Sequence, residues 1–161
     1  MEKKILVVYY THSGNTRHVA KQIAAQTGAE LLEIKPVIAY PQEYNTVVAQ
    51  AKKEIGQKYH PPIENTVDLS AYDTVFVGSP NWWSTIAPPV ATFLVENDLT
   101  GKTVLPFITH GGGGLNHTVK DIRALCHGAT VTDALSAYAD GGRMLDAEIS
   151  AWLAQSGLAE N

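Results

Sequence analysis

The chain has 161 residues, 45% hydrophobic and 17% charged, enough to bury a self-sufficient core as one domain over residues 1–161. A formal net charge of −4 with no basic cluster excludes a nucleic-acid surface, and no stretch approaches the roughly 18 uninterrupted apolar residues of a membrane span. The N-terminal residues run directly into an apolar strand without a separate leader and cleavage site, so the expected location is cytoplasmic.

Residues 5–10, "ILVVYY", form a continuous β-branched and aromatic run, the pattern of a central strand covered on both faces. Val19, Ala20, Ile23 and Ala24 then recur at helical spacing, and Gly28 stands where a helix stop belongs. "AELLEI" (29–34) reads as a second strand. Tyr44, Val47, Val48, Ala51 and Ile55 trace the inner face of a second helix closed by Gly56. A third strand is expected at about 74–78, followed by a helix with Pro88 and Pro89 in its first turn and Val90, Phe93 and Leu94 inward. "TVLPFIT" (103–109) is a fourth strand, and Leu115, Val119, Ile122 and Cys126 the stripe of a fourth helix. The lone Cys126 on that stripe reads as a buried structural thiol rather than a nucleophile. "ATVTDALSAY" (129–138) reads as a fifth strand, and Leu145, Ile149, Trp152 and Leu153 as the inner face of a last helix. Five strands alternating with five helices imply an α/β fold, a doubly wound parallel sheet in a three-layer αβα sandwich.

Such sheets bind ligands beyond the carboxyl ends of their strands. The loops after strands one, three and four are the least ordinary stretches of the chain. "THSGNT" (11–16) offers hydroxyls and the free amides of a helix start, a natural anion site; the plain alternative is a helix capped by Ser13 or Asn15. It lacks the lysine of GxxxxGK[ST] and the pattern GxGxxG, so a phosphate monoester fits better than a nucleoside triphosphate or dinucleotide. "SPNWWST" (79–85) sets Trp82 beside Trp83; one is expected to stack on a planar ring and the other to pack inward. "HGGGG" (110–114) removes side chains from four successive positions, which permits close backbone approach to a heterocycle or, alternatively, makes a hinge. His12, His18, His60, His117 and His127 have no paired spacing for a metal, and none is expected.

The stretch Thr11, His12, Ser13, Gly14, Asn15, Thr16 matches T/S-x-T/S-G-x-T position by position directly after strand one, and with this motif and the two later loops the chain resembles the flavodoxins over its whole length. The resemblance implies a sheet of order 2-1-3-4-5 and noncovalent FMN. It implies that residues 11–16 hold the phosphate, that Ser79, Pro80, Asn81, Trp82 and Trp83 hold the ribityl chain and one ring face, and that Thr109, His110, Gly111, Gly112 and Gly113 hold the pyrimidine edge. Two departures stand out. The net charge is far less acidic than is typical of that family. The loop after strand three also lacks the family's glycine, so a positive φ is expected to be costly there.

The expected function is therefore FMN-dependent electron transfer with redox partner proteins and no catalytic side chain. The alternative is a small reductase passing electrons from NAD(P)H to a quinone or a flavin. A phosphoacceptor receiver domain shares this topology, but strand one ends in Tyr9, Tyr10 and Thr11 rather than in the acids such a site needs.

Overall fold

The computed structural model describes residues 4–158. In chain order the elements are β1 (Lys4–Tyr9), α1 (Asn15–Thr27), β2 (Glu30–Glu33), α2 (Tyr44–Gly56), β3 (Tyr72–Trp82), β4 (Thr85–Ile86), α3 (Pro88–Glu96), β5 (Thr103–His110), α4 (Thr118–Leu125), β6 (Thr130–Val131), β7 (Leu135–Tyr138) and α5 (Leu145–Gln155), with a single 3₁₀ turn at Leu69–Ala71 before β3. The path through the sheet is β2-β1-β3-β5-β6, all parallel, and β7 continues the β6 position along β5. The doubly wound α/β sandwich is as the sequence implies, and taking β6 and β7 together the order is 2-1-3-4-5.

Strand β1 shows why the sheet is covered on both sides. Leu6, Val8 and Tyr10 face a core shared with Val47 of α2, Val90 and Phe93 of α3 and Ile122 of α4. Val7 and Tyr9 point the other way, onto Val19 and Ile23 of α1 and Ile149 and Trp152 of α5. Both β1 faces are apolar because each is dry, the reason such strands read as continuous runs. Between these layers Gly78 is required by packing, since a Cβ there would lie 2.2 Å from the Phe107 ring.

Two features depart from a simple five-stranded parallel sheet. The expected fifth strand is two: Thr132 still donates its amide to Val104, but the Asp133 carbonyl accepts from the Trp152 indole 2.9 Å away and leaves the ladder. The loop expected after residue 78 is mostly strand. β3 runs on to Trp82, and an antiparallel hairpin returns through β4, pairing Asn81 with Ile86 and Trp82 with Thr85. Its two-residue turn, Trp83 (φ 54°) and Ser84 (φ 72°), is left-handed at both positions, as the twist of a tight hairpin demands even without glycine.

Candidate functional site

A cavity of about 580 Å³ opens at the carboxyl ends of β1, β3, β5 and β7, within the size range of small-molecule sites. All three loops singled out in the sequence reach it, contributing His12, Ser13, Asn15 and Thr16 from the first, Pro80, Asn81, Trp82 and Trp83 from the second, and Thr109, His110 and Gly111 from the third.

At the first loop, the helix is not capped by Ser13 or Asn15. Gly14 occupies the N-cap position at φ 101° with no side-chain cap, and Asn15 is already helical. Side-chain capping would have consumed a first-turn amide; its absence leaves the amides and positive end of α1 free for an anion. Thr11 lies outside the cavity wall and shapes the turn instead, its Oγ1 accepting from the Gly14 amide at 3.0 Å. The Thr16 hydroxyl is buried and shares a 2.7 Å hydrogen bond with Thr109 Oγ1, tying α1 to the end of β5. His12 Nε2 donates to the Pro41 carbonyl at 2.8 Å. The nearby Arg17 forks onto Glu33 at 2.9 and 3.1 Å, and Tyr9 donates to the same carboxylate; neither Arg17 nor Glu33 lines the cavity. Burial, reinforced by Glu33, pushes the Tyr9 phenol up to about 12.

The second loop divides its tryptophans. Trp82 is half-buried and meets Tyr40, Tyr10 and His12 edge-on at centroid distances of 5.2, 5.6 and 5.9 Å, so it is the packing member. Burial and the bond donated to Glu54 hold the Tyr40 phenol far above its ordinary range. Trp83 is 48% exposed, its indole N–H donates to the Val48 carbonyl at 2.9 Å, and Lys52 Nζ lies 5.2 Å from its ring. Ser79 does not line the cavity: fully buried, it accepts from the Ala87 amide and donates to the Pro80 carbonyl.

The third loop is anchored rather than hinged. The Gly112 amide donates to His110 Nδ1, which leaves Nε2 protonated and 3.0 Å from Ser136 Oγ. Asn81 Nδ2 donates to the Gly114 carbonyl and to Asn116 Oδ1, both at 2.7 Å. Gly111 lines the cavity, whereas the exposed Gly112 and Gly113 do not.

Sequence reasoning missed the opposite wall, Tyr44, Val47, Val48 and Ala51 of α2, and the rim at Tyr138 and Ala139. The α2 stripe was visible, but as core. Among the described residues, four of the five non-glycine positions at positive φ (Trp83, Ser84, Asn116 and Ala139) gather at this edge, where strain is characteristic of binding sites. No group of three metal-ligating side chains occurs among the described residues, and no helix there is long and apolar enough to cross a membrane.

A doubly wound sheet with an uncapped helix start facing aromatic walls across a cavity at its switch point defines a mononucleotide-binding class. The sequence profile of the flavodoxin family matches residues 4–155, and the chain belongs to that family. A candidate flavoprotein from Bacteroides eggerthii is 27% identical and superposes with a TM-score of 0.87, covering 98% of this chain and 100% of that one. A flavoprotein from Lactobacillus acidophilus, solved in complex with FMN, is 27% identical with a TM-score of 0.73, covering 94% of this chain and 99% of its own. Among curated relatives, an NAD(P)H dehydrogenase (quinone) from Rhizobium meliloti is 29% identical over 128 residues, 72% of this chain and 58% of the relative. The chain spans about half the length of the curated relatives it matches.

Proposed function

We propose that the chain binds FMN noncovalently and serves as a redox carrier. The observation that carries this reading is the pairing, across one cavity, of the uncapped α1 start with an exposed indole. FMN, when bound, supplies the electron-accepting ring. The first-turn amides and the hydroxyls of Ser13 and Thr16 would bind its phosphate, with His12 and Asn15 flanking it. Trp83 offers the stacking face, since Trp82 is committed to the Tyr10–Tyr40 cluster. Pro80 and Asn81 wall the middle, and Thr109, His110 and Gly111 face the ring's polar edge. Thr11, Gly14, Ser79, Gly112 and Gly113 would support these contacts without lining the cavity themselves. A cytoplasmic location fits the single free thiol, Cys126, which burial pushes up to about 11 and so keeps unreactive.

Titrating the purified protein with FMN and following flavin fluorescence tests the reading: stoichiometric quenching is expected, and unquenched flavin would refute it. A second reading, a small NAD(P)H-dependent quinone or flavin reductase, draws on the relative from Rhizobium meliloti. Rapid NADPH oxidation by the holoprotein with added quinone favours that reading. Slow oxidation with two resolved one-electron reduction steps favours the carrier.

A further inference from the structure

Asn81 stands out because its chemistry is fully determined. The Gly114 carbonyl can only accept, so the atom 2.7 Å from it must be the Asn81 amide nitrogen, which fixes the orientation of that amide. Its second hydrogen goes to Asn116 Oδ1, also at 2.7 Å. Both donors are spent on anchoring the glycine loop, and Gly113 keeps the anchor possible: a Cβ there would press to 3.2 Å from Asn116 Oδ1. Only Asn81 Oδ1 remains. No described residue donates to it, and no buried side-chain oxygen among the described residues lacks a partner, so this oxygen keeps some exposure on a residue that lines the cavity.

We infer that Asn81 is a specificity-determining residue whose carbonyl oxygen is a fixed acceptor for an N–H on the planar heterocycle bound in the cavity. A freely rotating amide could turn its NH₂ toward a ring nitrogen or carbonyl; this one would first have to break two hydrogen bonds. The inference rests on FMN as the ligand. An isoalloxazine presents an imide N–H in both redox states and gains a further N–H at its central ring on two-electron reduction, so the same oxygen could take either.

The test compares the dissociation constants of oxidised and anaerobically reduced FMN for wild type, Asn81→Leu and Asn116→Ala. Asn81→Leu is expected to lose about five- to tenfold in affinity, the scale of one hydrogen bond, and Asn116→Ala, which removes half of the anchor and keeps the acceptor, less than about threefold. Loss in both redox states assigns the imide N–H; loss confined to reduced FMN assigns the N–H gained on reduction. Two analogues carry the test on wild type should Asn81→Leu not fold. 3-Methyl-FMN lacks the imide N–H, and reduced 5-deaza-FMN has C–H in place of the other, so one of the two must bind several-fold worse relative to FMN. Unchanged affinity in Asn81→Leu, an equal loss in Asn116→Ala, or indifference to both analogues overturns the inference. Wild type that fails to bind FMN at all refutes the cofactor reading instead.

Discussion

Thr16 Oγ1 and Thr109 Oγ1, 93 positions apart in sequence, share a buried hydrogen bond of 2.7 Å. It ties the first turn of α1 to the end of β5, and both residues are buried. Removing one partner strands the other, whereas removing both restores an apolar contact. Thr109→Val is therefore expected to destabilise the apoprotein by about 1–2 kcal/mol, and the Thr16→Val/Thr109→Val double variant by clearly less than the sum of the two single changes. Urea denaturation of all four proteins closes the cycle; strictly additive costs would mean that the bond contributes nothing.

Ser13 lines the cavity one residue before the uncapped N-cap, so under the proposed binding mode its hydroxyl would meet the phosphate. Hydrogen bonds to a charged phosphate are stronger than neutral ones, and Ser13→Ala is expected to weaken FMN about tenfold while changing riboflavin affinity little. Fluorescence titration with both ligands decides the matter, and equal losses would move Ser13 away from the phosphate.

The neighbouring tryptophans should separate stability from binding. Trp82→Ala removes a half-buried ring from the cluster with Tyr10 and Tyr40, and about 3 kcal/mol of apoprotein stability is expected to go with it. Trp83→Ala gives up a surface bond to Val48 and a contact with Lys52, about 1 kcal/mol or less, yet should weaken FMN strongly. Chemical denaturation paired with FMN titration reads both effects. A Trp83→Ala protein that binds FMN normally would return the stacking role to Trp82.

The alternation of strands and helices was legible because period two and period 3.6 are local properties of the chain. What escaped depends on contacts and backbone angles that periodicity does not register. Asp133 breaks the last strand only because Trp152, on a helix yet to come, takes its carbonyl. The β3–β4 turn hides because Trp83 and Ser84 adopt positive φ without the glycine or asparagine that announces such turns. Ser79 lies in a loop the sequence singles out, but it is buried outside the cavity lining, its hydroxyl accepting from the Ala87 amide. The three loops were found from composition, but the α2 wall was not, since an apolar helix face lining a cavity has the same spacing as one lining a core.

Arg17 and Glu33 give the fold a pH signature. The forked hydrogen bond from Arg17 holds the Glu33 carboxyl below its ordinary value of 4.5, with Tyr9 helping and burial opposing. A carboxyl depressed in the folded state adds stability that is present above the unfolded value and is lost as pH falls through the folded one. Wild type should therefore shed this contribution below about pH 4.5. Arg17→Leu lacks the largest source of the depression, so it is expected to be about 0.5–1 kcal/mol less stable at pH 7, the modest scale of a partly exposed pair. That gap should close once acid protonates Glu33 in both proteins. Urea midpoints at pH 7, 5 and 3 measure it, and a gap constant from pH 7 to pH 3 would show that Arg17 acts through packing of its alkyl stem rather than through charge.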